Sequence, residues 1–460
     1  MSKVNQDVSA NKDVMKRVVS LPRAIGTMGG MVIGSAIFYT CAYVLTYANG
    51  NTGMSILAWI LAGLLTMGAG LCMAELATIM PESGGQYIYL TRVYGKCVGF
   101  TYGWADVLIN TTGGTAAVAL VGATYIGTLM GGFSALQISI VGAAIILILG
   151  VLNLVGAKIS STFSSVLFVL KVAAILFVVF ACYAFGGNTG TPVTFSFLTP
   201  TDNPLGCLAF SMVACLWCFS GWTTICNIAG EIENPKKNIP RSLLIGLSGI
   251  IVVYVLFNLA VLRILPVEAI MQSDNATYDV MEALFGKGAA VVVTVIIISS
   301  VIGTTNSCVM SYPREFFAMA RDYRWFASFG RLNKKTGIPV VSMVFFIVYT
   351  MITCFISDFG TLVDLCVLIS WVYYAMNVAA VIIMRKRCPD IERPYKVPFY
   401  PVLPLLVIFG AIVMLVCNFI WSPTAVLGIL IPLSGVPVYF LFKRYYEKHG
   451  YPTFDDDIAE

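Results

Sequence analysis

The segment Gly26-Thr27-Met28-Gly29-Gly30-Met31-Val32-Ile33-Gly34-Ser35-Ala36-Ile37-Phe38 sits inside the first long apolar stretch of the chain. It is too rich in glycine for a helix that must cross a bilayer unbroken, since glycine is among the poorest helix formers. The sixth apolar stretch carries a matching interruption, Trp217-Cys218-Phe219-Ser220-Gly221-Trp222. Two interrupted spans five apart are the pattern of a transporter built from two inverted five-helix halves, with its site where the breaks meet near the bilayer midplane. Small residues also let membrane helices pack closely. Gly29 and Gly30 fit that reading equally well, whereas the pairing with span 6 assigns the break in helix 1 to 34–36 and the break in helix 6 to 219–221.

The composition around these breaks requires a membrane. Of the 460 residues 58% are hydrophobic and 11% charged, and the mean hydropathy is +0.86; a soluble domain carries about 25% charged residues. Strands of a membrane barrel are alternating segments of ~10 residues, but the apolar runs here are continuous and long enough for helices of ~20 residues. They fall at 23–47, 54–80, 98–129, 136–155, 162–185, 206–229, 242–265, 287–318, 339–357, 361–384, 400–421 and 424–442. The expectation is an all-α integral membrane protein with twelve transmembrane helices. Of the 28 Lys and Arg residues, 25 fall on the side of the N-terminus, Arg263 and Lys287 on the other, and Lys171 in mid-span. Because Lys and Arg accumulate in cytoplasmic loops, both termini are expected in the cytoplasm of a multi-pass protein of the plasma or inner membrane.

Charge at depth is scarce, and that limits the chemistry. Glu75, Glu231 and Asp364 lie towards span ends, Asp106 lies inside span 3, and the only histidine, His449, is in the C-terminal tail. Acid–base or metal catalysis inside a membrane needs Asp, Glu or His clustered at depth. No enzyme, no metal site and no cofactor is therefore expected. The net charge of +5 is small for this length and gives nucleic acid no footing. The thirteen cysteines, Cys215 and Cys218 included, are spread through apolar runs as small hydrophobes. The polar first twenty residues lack the apolar core of a signal peptide.

Breaking a helix exposes N–H groups at the start of its second half and C=O groups at the end of its first, with partial charges of opposite sign. A zwitterion matches both. Its carboxylate would take the N–H groups of Ser35, Ala36 and Ile37 beside Gly34, and its ammonium the carbonyls near Val32, Ile33 and Cys218. Trp217, Phe219, Ser220 and Gly221 complete the candidate substrate site. An α-amino acid is the ligand such an arrangement favours.

Six segments run in order along the chain: GSAIF at 34–38, AELATIMPESGGQYIYL at 74–90, FSGW at 219–222, GEIENPKKNIPRS at 230–242, PREFFAMARD at 313–322 and RPYKVPFYP at 393–401. Through them the chain resembles the amino acid, polyamine and organocation (APC) transporter superfamily, closest to its L-type amino acid transporter branch. The resemblance implies a five-plus-five inverted repeat of the APC/LeuT type: a tail over 1–22, repeats over 23–185 and 206–384, helices 11 and 12 over 400–442, and a tail over 443–460. It also implies alternating access, with Trp217 closing over bound substrate. Lys171 would stand where sodium-coupled members of the fold hold a cation between helices 1, 5 and 8, reaching carbonyls near Gly34 and the run Ser299, Ser300, Thr304 and Thr305.

The usual helix 1 motif is GSGIF; here Ala36 adds a methyl beside the carboxylate cradle. The side-chain end, expected between Trp217, Phe219 and helices 3, 8 and 10, has no placed charge. The expected activity is sodium-independent exchange of small neutral L-amino acids. Competing readings are proton-coupled symport through Lys171, a cationic amino acid or polyamine antiporter using Asp106, a channel, and a non-transporting amino acid sensor.

Outside the core, Pro81 to Gly95 reads as an amphipathic helix lying against the bundle, and the acidic loop from Arg263 to Lys287 as a short helical cap on the external face. That loop holds a glycosylation triplet, Asn275-Ala276-Thr277. The loop near Gly131 to Ala135 has no cysteine, so no disulfide-linked accessory subunit is expected. The acidic tail from Asp455 to Glu460 is expected to be disordered.

Overall fold

A computed structural model of the chain describes residues 17, 19–34, 36–81, 84–155, 157–194, 203–273, 275–313, 316, 319, 329, 333, 339–421 and 425–448. Ser35, nearly all of the first eighteen residues, most of the 313–322 segment and the tail from His449 lie outside the described residues. Every regular element among them is helical, apart from one parallel bridge between Val19 and Ile232.

The first apolar stretch forms two helices, α1 (Leu21–Val32) and α2 (Ile37–Tyr47), bent by 56°. Then come α3 (Thr52–Ile79), the short α4 (Gly85–Tyr94), α5 (Lys96–Ala105), a π-helical turn over Asp106–Asn110, and α6 (Thr111–Leu129). The first half closes with α7 (Ala135–Val155) and α8 (Ala157–Phe185). The sixth stretch breaks after α9 (Pro204–Cys218) and resumes as a single turn, α10 (Thr224–Asn227). It is followed by α11 (Pro235–Ile264), α12 (Val267–Met271), α13 (Ala276–Phe285), α14 (Lys287–Ser311), α15 (Val340–Ile356), α16 (Phe359–Arg387), α17 (Val402–Trp421) and α18 (Ala425–Lys448).

The helix ends follow local chemistry. Asn51 caps α3 by accepting the Met54 N–H at 2.9 Å, and Asp358 caps α16 by accepting the Thr361 N–H at 3.0 Å. Among the described residues seven helices are long and apolar enough to cross a membrane, the bent pair α1–α2 makes an eighth, and Leu170–Phe185, Pro204–Cys218, Val340–Ile356 and Val402–Cys417 are shorter apolar helices. The chain is an all-helical, multi-pass membrane protein. Its outer faces agree: Leu405, Phe409, Ile412, Val416 and Ile420 form an exposed apolar stripe along α17, which only lipid would solvate well.

Two groups of helices pack around the breaks. In one, α3 lies along α11 and α9, α1 along α11, and α2 along α9. In the other, α6, α7, α14 and α15 pack on one another, with α8 on α14. α16 touches both groups. The base of the first group is tied where Val19 accepts the Glu233 N–H at 2.9 Å, joining the start of helix 1 to the end of helix 6.

Each end of the bundle has a brace. Where α3 and α16 end, the buried Glu75 carboxylate is clasped by Arg385 (Nε at 2.8 Å), accepts the Val397 N–H at 2.8 Å and lies 3.6 Å from Arg393 Nε. The amphipathic α4 docks nearby, Asn377 donating to Gln86 at 3.1 Å and the Tyr94 hydroxyl to the Met376 carbonyl at 2.7 Å. At the opposite end, α12 and α13 form the helical cap expected from the 263–287 loop. Asn275 is spent as the N-cap of α13, and the buried Thr277 hydroxyl donates to the Phe38 carbonyl at 3.1 Å. The glycosylation triplet is thus folded into the cap.

Candidate functional site

The break in helix 1 begins with a rerouted hydrogen bond. The Gly34 N–H turns back onto the Val32 carbonyl at 2.7 Å, two residues away, where a continuing helix would have sent it to Gly30. The Gly30 carbonyl is thereby released from the helix ladder. Lys171 takes it: the ammonium, on a side chain only 4% exposed, donates to Gly30 O at 2.9 Å. A cation at this position meets the negative end of the α1 dipole, which is the favourable sign. The expected link from helix 5 to helix 1 is present, but through Gly30, four residues before the expected Gly34. On α14, Ser299, Thr304 and Thr305 donate their hydroxyl hydrogens to carbonyls of their own helix, Ile296, Ser300 and Val301.

The second break lies against the first. Gly221 adopts φ +101°, a conformation that side-chain-bearing residues rarely hold. A Cβ there would stand 3.1 Å from Met31 Cβ and 3.2 Å from the Met31 carbonyl carbon. The break of helix 6 therefore meets the last turn of α1 at a point only glycine permits.

Their carbonyl ends converge on one hydroxyl. Tyr254 of α11, fully buried, places its oxygen 2.9 Å from Val32 O and 3.1 Å from Cys218 O, the last helical residues of α1 and α9. One phenolic hydrogen serves both acceptors; Val32 O, which also takes the Gly34 N–H, has both lone pairs engaged, whereas Cys218 O keeps one. Sequence reasoning missed Tyr254, which reads as an ordinary aromatic in an apolar run. On the donor side, α2 starts at Ile37, and the first N–H groups of any helix lack intrahelical partners. The Ala36 carbonyl already accepts the Thr40 N–H at 3.0 Å, which starts that helix.

Of the aromatic residues around the second break, Trp217 and Phe219 go opposite ways. The Phe219 ring packs against Trp59 at 6.3 Å and Tyr254 at 5.2 Å, so its backbone stays at the break while its side chain fills the layer between α3 and α11. Trp217 turns to the other group. Its indole Nε1 donates to the Tyr39 hydroxyl at 3.3 Å, and a Cβ on Gly114 of α6 would lie 3.5 Å from its ring. Tyr39 in turn meets Phe359 of α16 edge-on at 5.1 Å. Ser220 donates its N–H to the Trp217 carbonyl at 3.0 Å and its hydroxyl to Leu216 at 3.3 Å.

The π turn on helix 3 faces the same region. Thr111 reaches back five residues to the Asp106 carbonyl, and Asn110 Nδ2 donates to the Asp106 carboxylate at 3.2 Å. The Cys366 thiol of α16 points at the Ile109 carbonyl, 3.5 Å away. Such single-turn widenings free backbone carbonyls and recur at functional sites. Asp106 is thus held by Asn110 on its own helix, and the polar Asn110 in an apolar run was the one sequence signal for this feature.

The sequence matches the family described as amino acid permease over residues 19–442. It is similar to the serine/threonine exchanger SteT of Bacillus subtilis (strain 168), 31% identical over 437 residues that cover 94% of this chain and 98% of that protein. It is also similar to the human cystine/glutamate transporter, 27% identical with 93% and 85% covered, and to the rabbit (Oryctolagus cuniculus) large neutral amino acids transporter small subunit 2, 28% identical with 96% and 83% covered.

Proposed function

The chain belongs to the amino acid permease family, and from that premise we propose that it is a sodium-independent exchanger of small neutral L-amino acids working by alternating access. Amino acid transport, without an enzymatic step, follows from the family. The observation that carries the finer reading is the Lys171 ammonium on the Gly30 carbonyl at 2.9 Å. It places a covalently held ammonium at the end of α1. A covalently held charge cannot cycle across the membrane as a co-transported ion does.

In this reading the seven long helices, the bent pair and the four shorter apolar helices are twelve spans, with both termini cytoplasmic in a plasma or inner membrane. Two five-helix repeats, 23–185 and 206–384, carry the breaks, and 400–442 supplies helices 11 and 12. The group built on α1, α3, α9 and α11 rocks against the group built on α6, α7, α14 and α15. The substrate carboxylate takes the N–H groups at Ser35, Ala36 and Ile37 beside Gly34. Its ammonium takes the carbonyls near Val32, Ile33 and Cys218, next to the Tyr254 hydroxyl, with Cys218 O offering the open lone pair and Val32 O shared with the Gly34 N–H.

Trp217, hydrogen-bonded to Tyr39, closes the external side. The side-chain pocket then lies between Trp217, Gly114, the π turn and Cys366, where Asp106 is already held by Asn110. Those surroundings favour neutral side chains, and a serine/threonine exchanger among the similar proteins favours small ones and the exchange mode.

The test is uptake of labelled amino acids into liposomes containing the purified protein. Uptake of serine, threonine or alanine is expected only when a neutral amino acid is inside, with equal rates in sodium and choline buffers. Robust uptake into empty liposomes under an acid-outside gradient would establish symport instead. A preference for arginine or putrescine would overturn the substrate class.

A further inference from the structure

Extending from Trp217 away from the helix breaks, a narrow half-open cavity with about 20 Å³ of room for the centre of a water-sized group runs between α2, α9 and α16. Its wall is aromatic, built from Tyr43, Tyr47, Trp217 and Phe359, and the one charged group in it is Asp364. Asp364 is half-buried, five residues into α16. Among the described residues it makes no hydrogen bond and no ion pair.

Its neighbour Asp358 shows the contrast. That carboxylate accepts the Thr361 N–H at 3.0 Å and the Thr361 hydroxyl at 2.8 Å, so its role as a helix cap is complete. The Asp358 charge acts on Asp364 with the same sign, which adds to the demand for a cation. An ionisable side chain inside a membrane segment is costly unless a partner arrives. The surrounding ring faces carry negative potential and attract cations. A carboxylate ringed by aromatic faces is chemistry for an ammonium group.

We propose that Asp364 and these rings form an outer recognition site, where the α-ammonium of an incoming amino acid is held before Trp217 moves aside. The inference rests on the exchange reading above and on the orientation it adopts. This site differs in kind from the helix breaks. There, backbone groups hold both ends of the zwitterion; here, only the ammonium has a partner, and the substrate carboxylate has none. The site serves arrival from one face only, because its lining runs from Trp217 and Thr40 along α2 and α9 to Tyr47 and Ala214, away from the breaks.

The experiment uses proteoliposomes sorted for orientation by protease access to a C-terminal tag and preloaded with serine. Asp364→Asn, which keeps the shape and removes the charge, is expected to raise the external KM for serine about tenfold, the size of one hydrogen bond to a charged group. The internal KM and the maximal rate should stay within about twofold. Tyr47→Leu, which removes a ring and keeps the charge, should move the same external KM by a smaller factor.

Ethylammonium, an ammonium without a carboxylate, should inhibit exchange when added outside, and Asp364→Asn should relieve that inhibition. Equal KM shifts on both faces would place Asp364 in the shared central site and overturn the proposal, as would no shift at all. If the native protein shows no exchange, the transport reading fails separately. Ethylammonium binding to the purified protein, read by tryptophan fluorescence, then decides the site: loss in Asp364→Asn supports it, and no binding to the native protein rejects it.

Discussion

Tyr254→Phe removes one oxygen and its hydrogen. The ring keeps its place against Trp59 at 5.5 Å and Phe219 at 5.2 Å, and the backbone carbonyl keeps the Asn258 amide at 2.8 Å. What disappears is the single donor shared by Val32 O and Cys218 O, at 2.9 and 3.1 Å. A buried polar group that loses its partner costs about 1–3 kcal/mol. Two carbonyls sharing one hydrogen each lose part of a bond, so we take about 2 kcal/mol for the pair.

In the proposed site the same two carbonyls receive the substrate ammonium, and the hydroxyl keeps them facing one another. The loss should therefore appear in binding, where about 2 kcal/mol is roughly thirtyfold in apparent affinity. The assay is serine exchange in proteoliposomes as a function of external concentration, with the thermal midpoint of the purified protein measured beside it. KM is expected to rise by about ten- to thirtyfold with the protein still folded. An unchanged KM with a lowered midpoint would refute the reasoning and make Tyr254 a packing residue only.

Three further outcomes follow from the geometry. Gly221→Ala sets a methyl 3.1 Å from Met31 Cβ at φ +101°, and strain of about 1–3 kcal/mol should push the helix 6 break away from α1; transport should fall by about five- to 150-fold in correctly inserted protein, and a normal rate would show that the contact is dispensable. Lys171→Ala leaves the Gly30 carbonyl without the ammonium that now holds it at 2.9 Å, so exchange should be lost while membrane insertion persists; sodium-dependent uptake by the native protein would sink the idea that the lysine takes the ion's place. Glu75→Gln deprives Arg385 and Arg393 of a buried carboxylate, a change that costs about 3–5 kcal/mol when one partner of such a pair is removed. The thermal midpoint in detergent should drop sharply, and an unchanged midpoint would mean that water or lipid headgroups already satisfy the two arginines.

The breaks themselves were legible, because glycine in a bilayer-crossing helix is a local signal with a local cause. Around the expected interruptions, α1 ends at Val32 and α2 starts at Ile37, and α9 ends at Cys218 and α10 starts at Thr224. Lys171 was legible for the same reason, since one ammonium in an apolar run demands a partner wherever it falls. Its partner was less so. Which carbonyl a broken helix releases depends on where the next N–H turns, and Gly34 turning back onto Val32 frees Gly30. Tyr254 was invisible because its hydroxyl answers to carbonyls 222 and 36 residues away, and nothing in its own neighbourhood marks it. The π turn also escaped, since a run such as Asp106–Asn110 satisfies an α or a π ladder equally well until Cys366 is packed against it. Glu75 was placed near a span end, but its partners come from 310 or more residues on, Arg385 at the end of α16 and Arg393 and Val397 beyond it.

The fixed lysine has a consequence for which direction of the cycle is fast. At the end of α1 two cation positions lie side by side in the proposed site: the Gly30 carbonyl, filled permanently by Lys171, and the Val32 and Cys218 carbonyls, shared by one Tyr254 hydrogen. When an amino acid is bound, its ammonium completes the second position and its carboxylate covers the N–H groups that open α2. When it leaves, the two or three N–H groups that open α2 lose a partner. The empty site can reorient only by carrying those groups through a closed state in which water reaches them poorly. At about 1–3 kcal/mol for each buried unsatisfied group, the empty carrier faces an added barrier of about 4 kcal/mol. That is close to a thousandfold in rate. A carrier that drew its positive charge from a diffusible cation could refill the first position from either side and so return empty of substrate; this one has no such vacancy to fill. In the proposed exchange cycle no separate coupling device is then needed, because the amino acid on the opposite face lowers that barrier.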